Sequence, residues 1–106
     1  MVTVELSVFP VGKGERLSKY VARALDVIDK SKIQYQFGPM GTTLEGSWEE
    51  VFRVVRRCFE VLQKDSGRAY GILKVDYKFA SRKQGEMKAK VSSVQQRLGR
   101  KLKTAV

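Results

Sequence analysis

The side chains of this chain that could do chemistry stand at alternate positions of short apolar segments. Glu5 and Ser7 alternate with Val4, Leu6 and Val8; Gln34 and Gln36 alternate with Ile33, Tyr35 and Phe37. Thr43 and Glu45 flank Leu44, and Lys74 and Asp76 follow Leu73 and Val75. Period-two patterning sends such residues to one face of a strand and the apolar residues to the other. Carboxylates with hydroxyl, amide and ammonium groups beside them could hydrogen-bond a small polar heteroaromatic ligand once water is excluded. Nucleophilic and metal chemistry are poorly served. The 106 residues contain no His and one Cys, and reading along them finds no Asn. The usual general base near neutral pH is missing, and one Cys can neither close an internal disulfide nor build a cysteine zinc site. A triad hydrolase, a zinc finger and a disulfide scaffold are excluded, and metal ligands are not expected.

Two loops bear on ligand binding. Pro10-Val11-Gly12-Lys13-Gly14-Glu15-Arg16 joins a strand to a helix and could offer backbone N–H groups and Lys13 to an anion. It contains neither G-x-x-x-x-G-K-[ST] nor G-x-G-x-x-G, so an ordinary Gly-rich turn is the simpler reading. The stretch from Gly38 to Gly46, Gly-Pro-Met-Gly-Thr-Thr-Leu-Glu-Gly, holds more glycine than a hairpin requires. That predicts special backbone angles or close approach of a ligand or another chain.

The elements that must position these groups follow from periodicity. Val2, Val4, Leu6 and Val8 predict a first strand. Leu17, Tyr20, Val21, Ala24, Leu25 and Ile28 predict a helix over about 15–30. Ile33–Phe37 and Thr42–Glu45 predict a hairpin. Ser47, three residues before Glu50, forms a capping-box pattern at the start of a second helix. Its stripe runs through Trp48, Val51, Phe52, Val55, Cys58, Phe59 and Leu62 and ends near Ser66-Gly67. Cys58 on that stripe is a core residue. Residues 69–79 alternate as a fourth strand. The order βαββαβ is the ferredoxin-like α+β unit, two helices on one face of a four-stranded antiparallel sheet. Right-handed crossovers are expected to place strands one and four side by side near its centre. Met87, Val91, Val94, Leu98 and Leu102 predict a third helix from about Gln84 to Lys103, weakened by Gly99 and packed on the sheet or on a neighbouring subunit.

Parity then populates the uncovered face with Thr3, Glu5, Ser7 and Phe9, with Gln34 and Gln36, with Thr43 and Glu45, and with Tyr70, Ile72, Lys74 and Asp76. Such a face is solvated, a subunit contact, or a recognition surface.

The net charge of +10 is unevenly spread. Residues 1–77 hold 12 basic and 10 acidic side chains, whereas 78–106 hold nine basic and one acidic. The division is a ferredoxin-like domain over 1–79 and a basic helical extension over 80–106. No apolar run approaches a membrane span and no signal-peptide pattern opens the chain, so a soluble cytoplasmic protein with no membrane partner is expected.

Three blocks carry a family likeness: Ser7-Val8-Phe9-Pro10-Val11-Gly12, then Leu17-Ser18-Lys19-Tyr20-Val21, then Gly38 through Gly46. In this order and spacing, over roughly residues 2–77, the chain resembles the thiamine-binding-protein-like family of small ferredoxin-like proteins. The resemblance implies a non-enzymatic homo-oligomer, a homotetramer built as a dimer of dimers packed through the sheets, with thiamine or its hydroxymethylpyrimidine part as ligand and no cofactor. It points to Ser7, Pro10, Thr42, Thr43 and Glu45 as ligand-binding residues. A carboxylate suits the pyrimidine nitrogen and amine, and Tyr35 or Phe37 could lie against the cationic thiazolium.

Two other readings use the same topology. The alternative is an RNA-binding module that uses the basic C-terminal helix; RNA-recognition domains stack bases on aromatics of two central strands, but Thr42-Thr43-Leu44-Glu45 lacks that pattern and Glu45 repels phosphate, so nucleic acid is not the expected partner. An acylphosphatase-like hydrolase needs an arginine in the first loop, where Arg16 stands, and a positioned asparagine-type amide, which the chain lacks.

Overall fold

A computed structural model describes residues 1–80 and 85–104. Its elements run β1 (Val2–Pro10), α1 (Ser18–Lys30), β2 (Gln34–Phe37), β3 (Thr42–Gly46), α2 (Trp48–Leu62), β4 (Ala69–Tyr77) and α3 (Glu86–Leu98). All pairings are antiparallel and the strand order is β2-β3-β1-β4. This is the expected ferredoxin-like arrangement with a C-terminal helix. One expectation is corrected: β4 does neighbour β1, but it lies at the edge, because β3 takes the other side of β1 and closes the centre.

Val2, Val4 and Leu6 of β1 and Leu44 of β3 point to the helix side and pack with Ala24, Ile28, Val51, Val55 and Cys58. Each fully buried aliphatic side chain contributes about 1.5–3 kcal/mol, and this one layer is most of the hydrophobic stabilisation so short a chain can gather. The two helices are also tied at their surface. The Arg23 guanidinium forks onto Asp65, with Nη1 to Oδ1 at 3.0 Å and Nη2 to Oδ2 at 2.8 Å, and Nη1 also donates to the Val61 carbonyl at 3.3 Å.

The helix boundaries have local causes. Gly12 and Gly14 adopt left-handed angles of +81° and +78° in the turn after β1, and α1 begins at Ser18 with Leu17 as its N-cap, later than the expected start near Glu15. The Ser47 hydroxyl accepts from the Glu50 N–H at 3.2 Å, starting α2 where the capping pattern put it. α2 ends at Leu62, before the expected Ser66-Gly67. At the end of α3, Gly99 is left-handed at +70° and the Arg100 N–H bonds back to the Gln95 carbonyl at 3.2 Å. The expected continuation to Lys103 therefore stops at Leu98, and the chain folds back until the Leu102 N–H meets the Gln95 side-chain oxygen at 2.6 Å. Gln84, the expected start of α3, lies outside the described residues.

Candidate ligand-binding site

Strand register turns the parity argument into geometry. On the face that α1 and α2 leave uncovered, Gln36 of β2 stands opposite Thr43 of β3, Thr43 opposite Glu5 of β1, and Glu5 opposite Lys74 of β4. One polar row, with one side chain from each strand, crosses the whole sheet. Directly opposed residues in a sheet lie about 4.5–5.5 Å apart, so Gln36, Thr43 and Glu5 stand close enough to address one small molecule, with Lys74 beside Glu5 at the end of the row. The next row holds Gln34, Glu45, Thr3 and Asp76, and the row beyond Glu5 holds Ser7 and Ile72.

Glu5, Gln36 and Thr43 form the floor of a cleft of about 420 Å³. The β2–β3 hairpin, from Phe37 to Gly41, makes one wall, and Lys103 and Thr104 make another. The hairpin reaches the floor because Gly41 lacks a Cβ: one built there would lie 3.2 Å from the Leu6 carbonyl oxygen and 3.3 Å from Glu5 Cγ. The C-terminal wall is held by the Gln36 amide, which donates to the Thr104 carbonyl at 3.4 Å. Within the cleft Glu5 keeps lone pairs for a donor, since its ion pair with the Lys74 ammonium is long at 3.6 Å and half exposed. The cleft offers a carboxylate acceptor, a hydroxyl, an amide and an ammonium group in under five hundred cubic ångströms.

A second cavity, of about 260 Å³, opens on the opposite side of the same hairpin. Apolar side chains of β1 and α1, such as Leu6, Val8, Leu17 and Val21, line it. Here β1 outruns β3: Ser7 through Pro10 pair with β4 alone.

The seven expected site residues divide between the two faces. Ser7, Thr43 and Glu45 are on the open face. Tyr35, Phe37 and Thr42 are in register with Leu44 and Leu6 and belong to the helix side, as does Pro10, which is buried at the end of β1. Tyr35 donates its hydroxyl to the Asp29 carboxylate at 2.6 Å, a bond that raises the phenol above its ordinary pKa. Its ring is on the far side of the sheet from Glu45. Phe37 lines both cavities from the end of the strand, and Ser7 and Thr42 line the apolar one. Glu45 is 2% exposed and already engaged: its Oε1 accepts from the Gly85 N–H at 2.5 Å and its Oε2 from the Met87 N–H at 2.9 Å. The cleft thus unites Thr43 with Glu5 and Gln36, both placed on this face by strand parity. Lys103 and Thr104 have no signal in the sequence, since an irregular segment carries no period from which its position could be read.

Elsewhere, Cys58 is fully buried and its thiol is pushed up to about 11 by burial, which suits a core residue and not a nucleophile. Among the described residues no three His, Cys, Asp or Glu side chains converge on a point where a metal could sit, and no helix is long and apolar enough to cross a membrane.

Known proteins share this arrangement. The profile of the family described as thiamine-binding protein matches residues 4–95. A UPF0045 protein of Methanothermobacter thermautotrophicus is 40% identical over 79 residues, covering 72% of this chain and 80% of that protein. UPF0045 protein MJ1052 of Methanocaldococcus jannaschii is 35% identical over 75 residues, covering 71% of this chain and 75% of its own. Its crystal structure superposes with a TM-score of 0.74 at 32% identity, over 87% of this chain and 95% of that one. A candidate thiamine biosynthesis/salvage protein of Thermotoga maritima superposes with a TM-score of 0.71 at 31% identity, over 84% of this chain and 96% of that one.

Proposed function

The chain belongs to the thiamine-binding protein family, and from that premise we propose that it is a non-enzymatic binder of thiamine or of its hydroxymethylpyrimidine part. The family supports small-molecule binding, and the polar row Gln36–Thr43–Glu5 is the observation that carries the finer reading. An aminopyrimidine presents an exocyclic amine donor beside ring-nitrogen acceptors. Glu5 accepts from the amine, while the Gln36 amide and Thr43 hydroxyl donate to ring nitrogens. The cleft volume lies within the range of small-molecule sites.

The protein acts as a cytoplasmic homo-oligomer, a dimer of dimers, with the ligand enclosed between paired sheets. Supporting this, Tyr70 and Ile72 stand on the open face about half exposed, at 48% and 55%, and α3 buries none of its residues. A second sheet over this face would cover the apolar surface and exclude water from the cleft, strengthening every hydrogen bond in it.

Calorimetric titration and thermal shift with thiamine and with hydroxymethylpyrimidine test the proposal. Ligand at 100 times its dissociation constant raises stability by about 2.7 kcal/mol. Glu5→Gln abolishes the shift without lowering the ligand-free melting temperature. Absence of binding to these compounds and to their phosphate esters at millimolar concentration overturns the reading.

A further inference from the structure

The open-face cleft is lined by residues of opposite charge. Glu5 rises from the floor, and Lys103 stands in the wall contributed by the C-terminal segment. Among the described residues no carboxylate pairs with Lys103. From Met87 to Thr104 the chain has no acidic residue at all, and Arg97, Arg100 and Lys101 precede Lys103.

The backbone that carries this exposed cation is placed by folded structure. Glu45 anchors the start of α3 through the Gly85 and Met87 N–H groups, Gly99 turns the chain, Gln95 holds the Leu102 N–H, and Gln36 holds the Thr104 carbonyl. Four successive contacts deliver Lys103 to a cleft that also contains Glu5, Gln36 and Thr43.

Thiamine itself makes poor use of such a site. Its thiazolium is a cation, and it would meet Lys103 at close range within a chain of net charge +10. Neutral hydroxymethylpyrimidine leaves Lys103 unused. A phosphate ester on either compound suits both charges: the aminopyrimidine pairs with Glu5, and the phosphate with Lys103, with Arg100 and Lys101 nearby in sequence.

We propose that the cleft selects the phosphate monoester of an aminopyrimidine-bearing alcohol over the unphosphorylated compound, with Lys103 as the residue that determines this preference. The proposal rests on the binding function assigned to the cleft above and sharpens its ligand class.

The test compares matched pairs by calorimetry on the full chain: hydroxymethylpyrimidine with its monophosphate, and thiamine with thiamine monophosphate, at 50 and 300 mM NaCl. The phosphate member of each pair binds at least tenfold tighter at low salt, and the advantage shrinks at high salt as charge is screened. Lys103→Gln brings the affinity ratio within each pair to near one, whereas Lys88→Gln, a change on α3 away from the cleft, leaves the ratio intact. Equal affinity within both pairs overturns this proposal while the binding function stands. A preference that survives Lys103→Gln, or inorganic phosphate alone binding as tightly as the phosphate esters, also overturns it. Failure of all four compounds to bind overturns the binding function itself.

Discussion

The Glu45 carboxylate at the end of β3 receives the Gly85 backbone N–H at 2.5 Å, and through its second oxygen the Met87 N–H at 2.9 Å. A buried sheet carboxylate thus serves as the missing cap of a helix 40 residues further along. Gly85 has no side chain to cap α3, and the first N–H groups of any helix lack internal partners. Glu45 supplies the acceptor and a negative charge at the positive end of the helix dipole. The outer contacts, Lys78 with Glu86 at 2.9 Å and Lys90 with Asp76, are exposed ion pairs of small individual worth.

Removing that acceptor should release the helix. Hydrogen bonds to a charged group contribute about 1.5–3 kcal/mol. Glu45→Ala is expected to raise amide exchange and proteolytic cleavage over residues 85–104 at least tenfold while leaving the β1–β4 amides protected. Exchange that stays at the wild-type rate in α3 would show that the helix is held by other contacts.

Gly71 is required by packing. It lies on the helix side of β4, and a Cβ built on it would run into the Phe59 ring from α2. Gly71→Ala overpacks this contact and is expected to cost about 1–3 kcal/mol in chemical denaturation. Adding Phe59→Ala makes room for the new methyl, so the double variant should be less destabilised than the sum of the two single changes. Strict additivity would show that Phe59 is not what Gly71 accommodates.

Stability should fall in acid through Asp65. Its hydrogen bond with Arg23 holds the carboxyl down at about 2, against an ordinary value of 3.8. A depressed folded-state pKa stabilises the native state above the unfolded value, and the contribution is lost as pH falls from about 4 toward 2. Melting temperature measured against pH should drop in this window, and Asp65→Asn should flatten that part of the curve. An identical drop in the variant would assign the acid sensitivity to other carboxylates.

Cys58 should be silent to thiol reagents. Burial pushes the thiol up to about 11, and the side chain is wholly enclosed, its sulfur 3.7 Å from the Ala24 carbonyl. With an aromatic disulfide reagent at pH 8, one equivalent should react in denaturant and almost none in the native protein. Rapid labelling of the folded chain would mean that α1 and α2 separate readily.

Local patterning along the chain sufficed for the elements, their order and the two faces of the sheet. Val2, Val4 and Leu6 against Thr3, Glu5 and Ser7 need only the two-residue period of an extended backbone to declare their sides, and Ser47 with Glu50 needs only one turn of helix. These are local relationships, complete within a few residues. The same parity, once the strands are paired, separates Tyr35, Phe37 and Thr42 from Thr43 and Glu45, although all five stand in one hairpin. What the tertiary structure alone decided is which distant groups meet: Gln36, Thr43, Glu5 and Lys74 in one row, Phe59 over Gly71, Glu45 under α3, and Lys103 in the cleft. Each depends on strand order, register and the path of the chain after Gly99, which arise from closure of the whole fold and leave no local period to read.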